Sequence, residues 1–181
     1  MHFQVIIGSV RQGRIGPQIA QWVTEIISSS ELHTCEVIDL LDWPLPMNDE
    51  PQLPATGQYL QPHSQAWSQK ISEGDGYVFL FPQYNWGYPA ALKNAIDHLY
   101  HEWKGKPAIL VSYANRGGGK AAAQLRQVLT GIDMIPLETA LEIKLSEVEF
   151  LDNGQIASCE ESLKKYIPQL VAALKESIVA T

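Results

Sequence analysis

The segment Gly8-Ser9-Val10-Arg11-Gln12-Gly13-Arg14-Ile15-Gly16-Pro17 concentrates groups that bind an anion. Pro17 suits the first turn of a helix and Gly16 the position before it, so free backbone N–H groups and a helix dipole meet there. Ser9 adds a hydroxyl, and Arg11 and Arg14 add guanidinium groups that can fork onto phosphate oxygens. Two familiar nucleotide loops fail. Gly8 and Gly13 have P-loop spacing, but Arg14-Ile15 stand where a lysine and a Mg²⁺-binding hydroxyl are needed. A GxGxxG pattern ending at Gly16 needs glycine at position 11, where Arg11 would block close approach to a pyrophosphate. What remains suits one terminal monophosphate; the alternative is a solvated basic loop.

Two later segments have a different chemistry. Pro82-Gln83-Tyr84-Asn85-Trp86-Gly87-Tyr88-Pro89 places three aromatics in a loop. Loops run over the surface, so these rings need something flat to cover, or a partner chain. Asn85 and the loop amides can hydrogen-bond the polar edge of a ring. The alternative is that Trp86 and Tyr88 are core or interface residues. Ser112-Tyr113-Ala114-Asn115-Arg116-Gly117-Gly118-Gly119 ends in three glycines, which allow unusual backbone angles and close approach to a ligand. Backbone amides there can reach the carbonyls of a flavin, and Arg116 can meet an anion; a flexible loop with a solvated arginine is the competing reading.

The elements that position these loops are readable from periodicity. Phe3 to Ile7, Cys35 to Leu40, Gly76 to Phe81, Ala108 to Ser112 and Leu137 to Leu145 read as strands, the last with a ragged middle. Arg14 to Ser29, Ala90 to Tyr100, Ala121 to Leu129 and Glu160 to Ser177 read as helices. The alternation implies a parallel sheet covered on both faces. In a five-stranded sheet of order 2-1-3-4-5, the first and third strands flank the crevice where ligands sit. The phosphate-type loop and the aromatic loop follow those two strands. Asp42 to Gly57 holds Pro44, Pro46, Pro51 and Pro54, which predicts a long surface loop. The whole length, 1–181, reads as one α/β domain.

Bulk properties narrow the classes. The net charge of -7 disfavours nucleic acid as a partner. Cys35 and Cys159 lack metal-like spacing and read as idle thiols of a reducing, cytoplasmic compartment. The first residues lack a positive leader, and no stretch has the length to cross a bilayer. His98 and His101, with Glu102 next, show no third ligand and no HExxH, so no metal is expected. Lys93 and Asp97 are spaced for an ordinary surface pair. No Gly-x-Ser-x-Gly elbow is present.

Together these residues resemble the NADPH-dependent FMN reductase family, which has a flavodoxin-like fold, and most closely its small fungal NAD(P)H:quinone reductases. The block from Pro82 to Asp97 carries the most specific likeness; Glu102-Trp103-Lys104-Gly105-Lys106-Pro107, Val111-Ser112-Tyr113 and Gly8-Ser9-Val10-Arg11 extend it. It runs to about Leu129 and departs at Ala114, where the family usually has glycine. The resemblance implies that Ser9, Arg11 and Arg14 hold the FMN phosphate. It implies that Gln83, Tyr84, Asn85, Trp86, Ser112, Tyr113, Gly117 and Gly118 surround the isoalloxazine. It further implies a homodimer with the flavin near the interface, NADPH or NADH as co-substrate, and a quinone, flavin or azo compound as acceptor. Hydride transfer then follows a ping-pong order and needs no protein nucleophile; Tyr84 and Tyr113 are the candidate proton donors. The rival classes are a flavodoxin-type electron carrier and a redox-responsive flavin-binding interaction module.

Overall fold

A computed structural model describes residues 1–47 and 49–180. In chain order the elements are β1 (His2–Ile7), α1 (Gly16–Ser28), β2 (Thr34–Asp39), α2 (Pro62–Ser72), β3 (Gly76–Pro82), α3 (Ala90–Asp97), β4 (Pro107–Ala114), α4 (Gly119–Gly131), β5 (Ile135–Pro136), β6 (Leu141–Lys144), α5 (Cys159–Leu163) and α6 (Ile167–Ala180). The sheet order is β2-β1-β3-β4-β5, the expected flavodoxin-like order, with β6 also paired to β4. Every named pair is parallel.

The central strands are apolar without alternation because helices cover both faces. Val5, Val78, Leu80, Ile109 and Val111 pack with Ile19 and Val23 of α1 and with Leu170 and Leu174 of α6. Ile6, Tyr77, Phe79 and Leu110 pack on the other face with Trp67 of α2, Leu92 and Ile96 of α3, and Leu125 of α4. This two-period register through β1, β3 and β4 fixes where their carboxyl ends emerge.

Three elements differ from the sequence reading. The strand predicted over Leu137 to Leu145 is split into β5 and β6, which lie end to end along one edge of β4. Between them the Glu138 and Thr139 N–H groups donate to the Glu176 carboxylate at 2.6 and 3.1 Å instead of to a neighbouring strand. The closing helix is also split: a 3-10 turn at Lys164–Tyr166 separates α5 from α6, and Pro168 in the first turn of α6 lacks the N–H that a continuous helix needs. Helix α2 had no signal of its own, because its buried face is only Ser64, Trp67 and Ile71. The proline-rich segment forms 3-10 turns at Leu40–Asp42 and Pro54–Thr56 and is otherwise irregular over its described residues.

Candidate active site

The loops after β1, β3 and β4 meet at the carboxyl edge of the sheet around a crevice of about 480 Å³. Its lining includes Arg11, Arg14, Gln83, Tyr84, Tyr113 and Phe150. Gly8 makes the close packing of the first loop possible, since a Cβ there would lie 3.0 Å from Leu92 Cδ2 and 3.3 Å from Phe81 Cβ.

Ser9 is buried at the base of the first loop, with its Oγ 2.8 Å from the Tyr84 hydroxyl. That bond ties the phosphate-type loop to the aromatic loop. The Arg11 N–H donates to Ser9 Oγ at 3.4 Å, while the exposed Arg11 guanidinium has no ion-pair or hydrogen-bond partner among the described residues. Arg14 is different: its guanidinium is largely buried in an ion pair with Asp39 at the end of β2, and its Nε is buried without a hydrogen-bond partner among the described residues.

In the second loop, Gln83 donates its N–H to the Tyr113 carbonyl at 3.1 Å, and its Oε1 accepts from the Ala121 N–H at 3.3 Å. Tyr84 and Gly87 exchange backbone bonds of 2.8 and 2.9 Å across Asn85 and Trp86. Both intervening residues have positive φ, 45° and 78°, the backbone of a type I′ turn, which favours Asn-Gly. Trp86 is 60% exposed, and the Lys120 ammonium sits 3.9 Å from its ring centroid. Asn85 and Trp86 lie outside the crevice lining.

In the third loop, buried Ser112 donates its hydroxyl to the Gly117 carbonyl at 2.8 Å, folding the loop onto itself. Gly117 and Gly118 have φ of 94° and 83°, and a Cβ on Gly118 would lie 3.1 Å from Ser112 Cβ. Ser112, Gly117 and Gly118 therefore shape the loop at the start of α4 and stand outside the crevice lining. Tyr113 does line it; burial, with a smaller effect from Tyr84 and against the pull of Arg14, pushes its hydroxyl well above the ordinary phenol range. It stays protonated at neutral pH.

The crevice also holds residues that the sequence reading did not single out. Leu145 and Phe150 come from the chain after β6 and close it from a side that no motif marked. Asp39, the partner of Arg14, read only as the end of a strand. His101 lies apart from the crevice, with its Nε2 facing the Ala55 carbonyl at 2.9 Å.

Comparison with known proteins places this geometry among flavoenzymes. A family model described as NADPH-dependent FMN reductase matches residues 1–147. An NAD(P)H-dependent FMN reductase of Schizosaccharomyces pombe is 56% identical over 126 residues, spanning 68% of this chain and 63% of that protein. One from Saccharomyces cerevisiae is 45% identical over 145 residues, 74% of this chain and 76% of that protein. In fold, an NAD(P)H:(acceptor) oxidoreductase from Paracoccus denitrificans superposes with a TM-score of 0.75 at 18% identity, covering 99% and 98% of the two chains.

Proposed function

The chain belongs to the NADPH-dependent FMN reductase family, and from that premise we propose that it binds FMN in the crevice and oxidises NADPH or NADH to reduce quinones or similar small acceptors. The observation that carries this reading is the Ser9–Tyr84 bond, which joins an anion-binding loop to an aromatic loop in one crevice. The residues fit the cofactor. Arg11 offers a cation with no partner among the described residues, and Gly13, with φ of 69° and open space around it, leaves room for a phosphate.

Arg11 and the loop amides ahead of α1, such as those of Gln12 and Gly13, would hold the phosphate, with Ser9 positioning the loop. Arg14 would act through its pair with Asp39, keeping the loop in place. Gln83, Tyr84 and Tyr113 would border the ring from the crevice, and Ser112, Gly117 and Gly118 would hold the shape of the loop behind it. When bound, FMN supplies the two-electron chemistry between nicotinamide and acceptor. The chain's own part is to bind, orient and keep a proton on the Tyr113 hydroxyl. Exposed Trp86, with exposed Met47 lining one cavity beside Gly87 and Tyr88, supports a partner surface, and the assembly that fits is a homodimer in which Asn85 and Trp86 meet the flavin. A single domain and a cytoplasmic setting belong to the same proposal.

The test is direct. The purified protein should be yellow, release FMN and not FAD on denaturation, and bleach on addition of NADPH without oxygen. Release of FAD, or no flavin uptake, would refute the cofactor reading. Flavin that NADPH fails to reduce would instead favour an electron carrier.

A further inference from the structure

A second cluster lies away from the crevice, where the proline-rich segment, α2 and α3 converge. Asp49, His63 and His98 each present a ligand-type atom within 4.8 Å of those of the other two. His63 Nε2 and Asp49 Oδ1 are 3.0 Å apart, and the two imidazoles meet edge to face with centroids 5.9 Å apart. We propose that Asp49, His63 and His98 form a binding site for a divalent transition metal of the Zn²⁺ type.

Three observations support it. First, His98 is only 6% exposed, and its Nδ1 donates to the Asn94 carbonyl at 2.8 Å. A carbonyl can only accept, so Nδ1 carries the proton and Nε2 keeps a lone pair, with no hydrogen-bond partner among the described residues. A backbone carbonyl behind a histidine is the usual outer support of a metal-binding imidazole. Second, the donor set is two imidazoles and one carboxylate, which suits Zn²⁺ at roughly 2.0–2.2 Å per ligand, the ligands then lying about 3.3 Å from one another. The His63–Asp49 separation is already close to that, and small side-chain rotations bring in His98. Third, a cavity of about 250 Å³ adjoins Asp49 and His98 and is also lined by Glu50 and Asp97. It leaves room for water as a fourth ligand and adds negative potential. Glu50 itself is committed to the Leu60 and Gln61 N–H groups at 3.0 and 2.9 Å, and Asp97 to Lys93. The metal would pin the irregular segment to the two helices; this site stands apart from the flavin reading.

FMN-loaded protein, freed of metal with EDTA and desalted, should take up one Zn²⁺ per chain in competition with a chromophoric chelator. Asp49→Asn and His63→Ala, both at partly exposed positions, should each weaken that affinity by at least the ~10–100-fold that losing an outer-shell partner costs, with FMN content unchanged. Co²⁺ should give the intense visible bands of a low-coordinate site, lost in both variants. Uptake well below one per chain, or affinity unchanged in both variants, would overturn the site and leave Asp49 and His63 as an ordinary ion pair.

Discussion

Arg11 and Arg14 have the same side chain three positions apart, yet the fold gives them different work. Arg11 faces solvent with no ion-pair partner among the described residues, whereas Arg14 neutralises Asp39. Arg11→Ala should weaken FMN binding by about 1.5–3 kcal/mol, the value of a charge-assisted contact, roughly tenfold or more. The oxidised flavin spectrum should hardly change, and a flavin titration checks both. Arg14→Ala should instead lower stability first, by about 1–3 kcal/mol, because it leaves the largely buried Asp39 carboxylate without its cation, holding only the Leu41 N–H. Asp39→Asn in the same background should recover part of that loss in chemical denaturation. Trp86 is separable in a third way. Binding of FMN should quench tryptophan fluorescence, and Trp86→Ala should remove much of the quenching over the background of Trp22, Trp43, Trp67 and Trp103. Quenching that survives unchanged would withdraw Trp86 from the site. The residue types and spacing of the loop were legible in the sequence. The pairing of Arg14 was not, because Asp39 comes from another strand and no local pattern joins the two.

At the scale of elements, β1, β3 and β4 announce themselves because burial on both faces demands unbroken apolar runs. Helix α2 does not, since one tryptophan and one isoleucine suffice to dock it. The fifth strand position was legible only as a ragged run, because what interrupts it is a carboxylate on α6, far along the chain. The glycine-rich turn into α4 was visible in sequence, and its backbone explains the composition. Gly118→Ala forces a Cβ into a left-handed conformation against Ser112. It should cost about 1–2 kcal/mol from backbone strain alone. Denaturant unfolding should show a lowered midpoint with an unchanged slope.

For the molecule as a whole, acid should act through a network that spans β1, β2 and α2. Burial raises the Glu36 carboxyl pKa, but hydrogen bonds from Lys70, Gln4 and His2 outweigh it, and the net shift is downward. A carboxylate depressed in the folded state stabilises it fully above the ordinary carboxylate range, and that contribution is lost as pH falls through the folded value. His33, lowered chiefly by burial, acts earlier on the same descent: the unfolded chain takes up its proton first, so stability begins to fall as pH drops through the ordinary histidine range. Melting temperature should therefore drop in two stages on acidification. Glu36→Gln should reduce the more acidic stage, to which the likewise lowered Glu50 and Glu176 also contribute, and leave the upper one, which thermal melts across a pH series will check.

The turn at Asn85-Trp86 has a consequence for how this protein can change. A bulky residue at φ of 78° sits where glycine would relieve the backbone of about 1–2 kcal/mol. The Lys120 ammonium over the indole offsets part of that strain within the chain, and contacts to a flavin or a partner would offset the rest. Variants selected for heat resistance alone would therefore drift to glycine at position 86, while variants selected for turnover would hold the tryptophan. If Trp86 meets the flavin as proposed, stability and activity compete at this one residue.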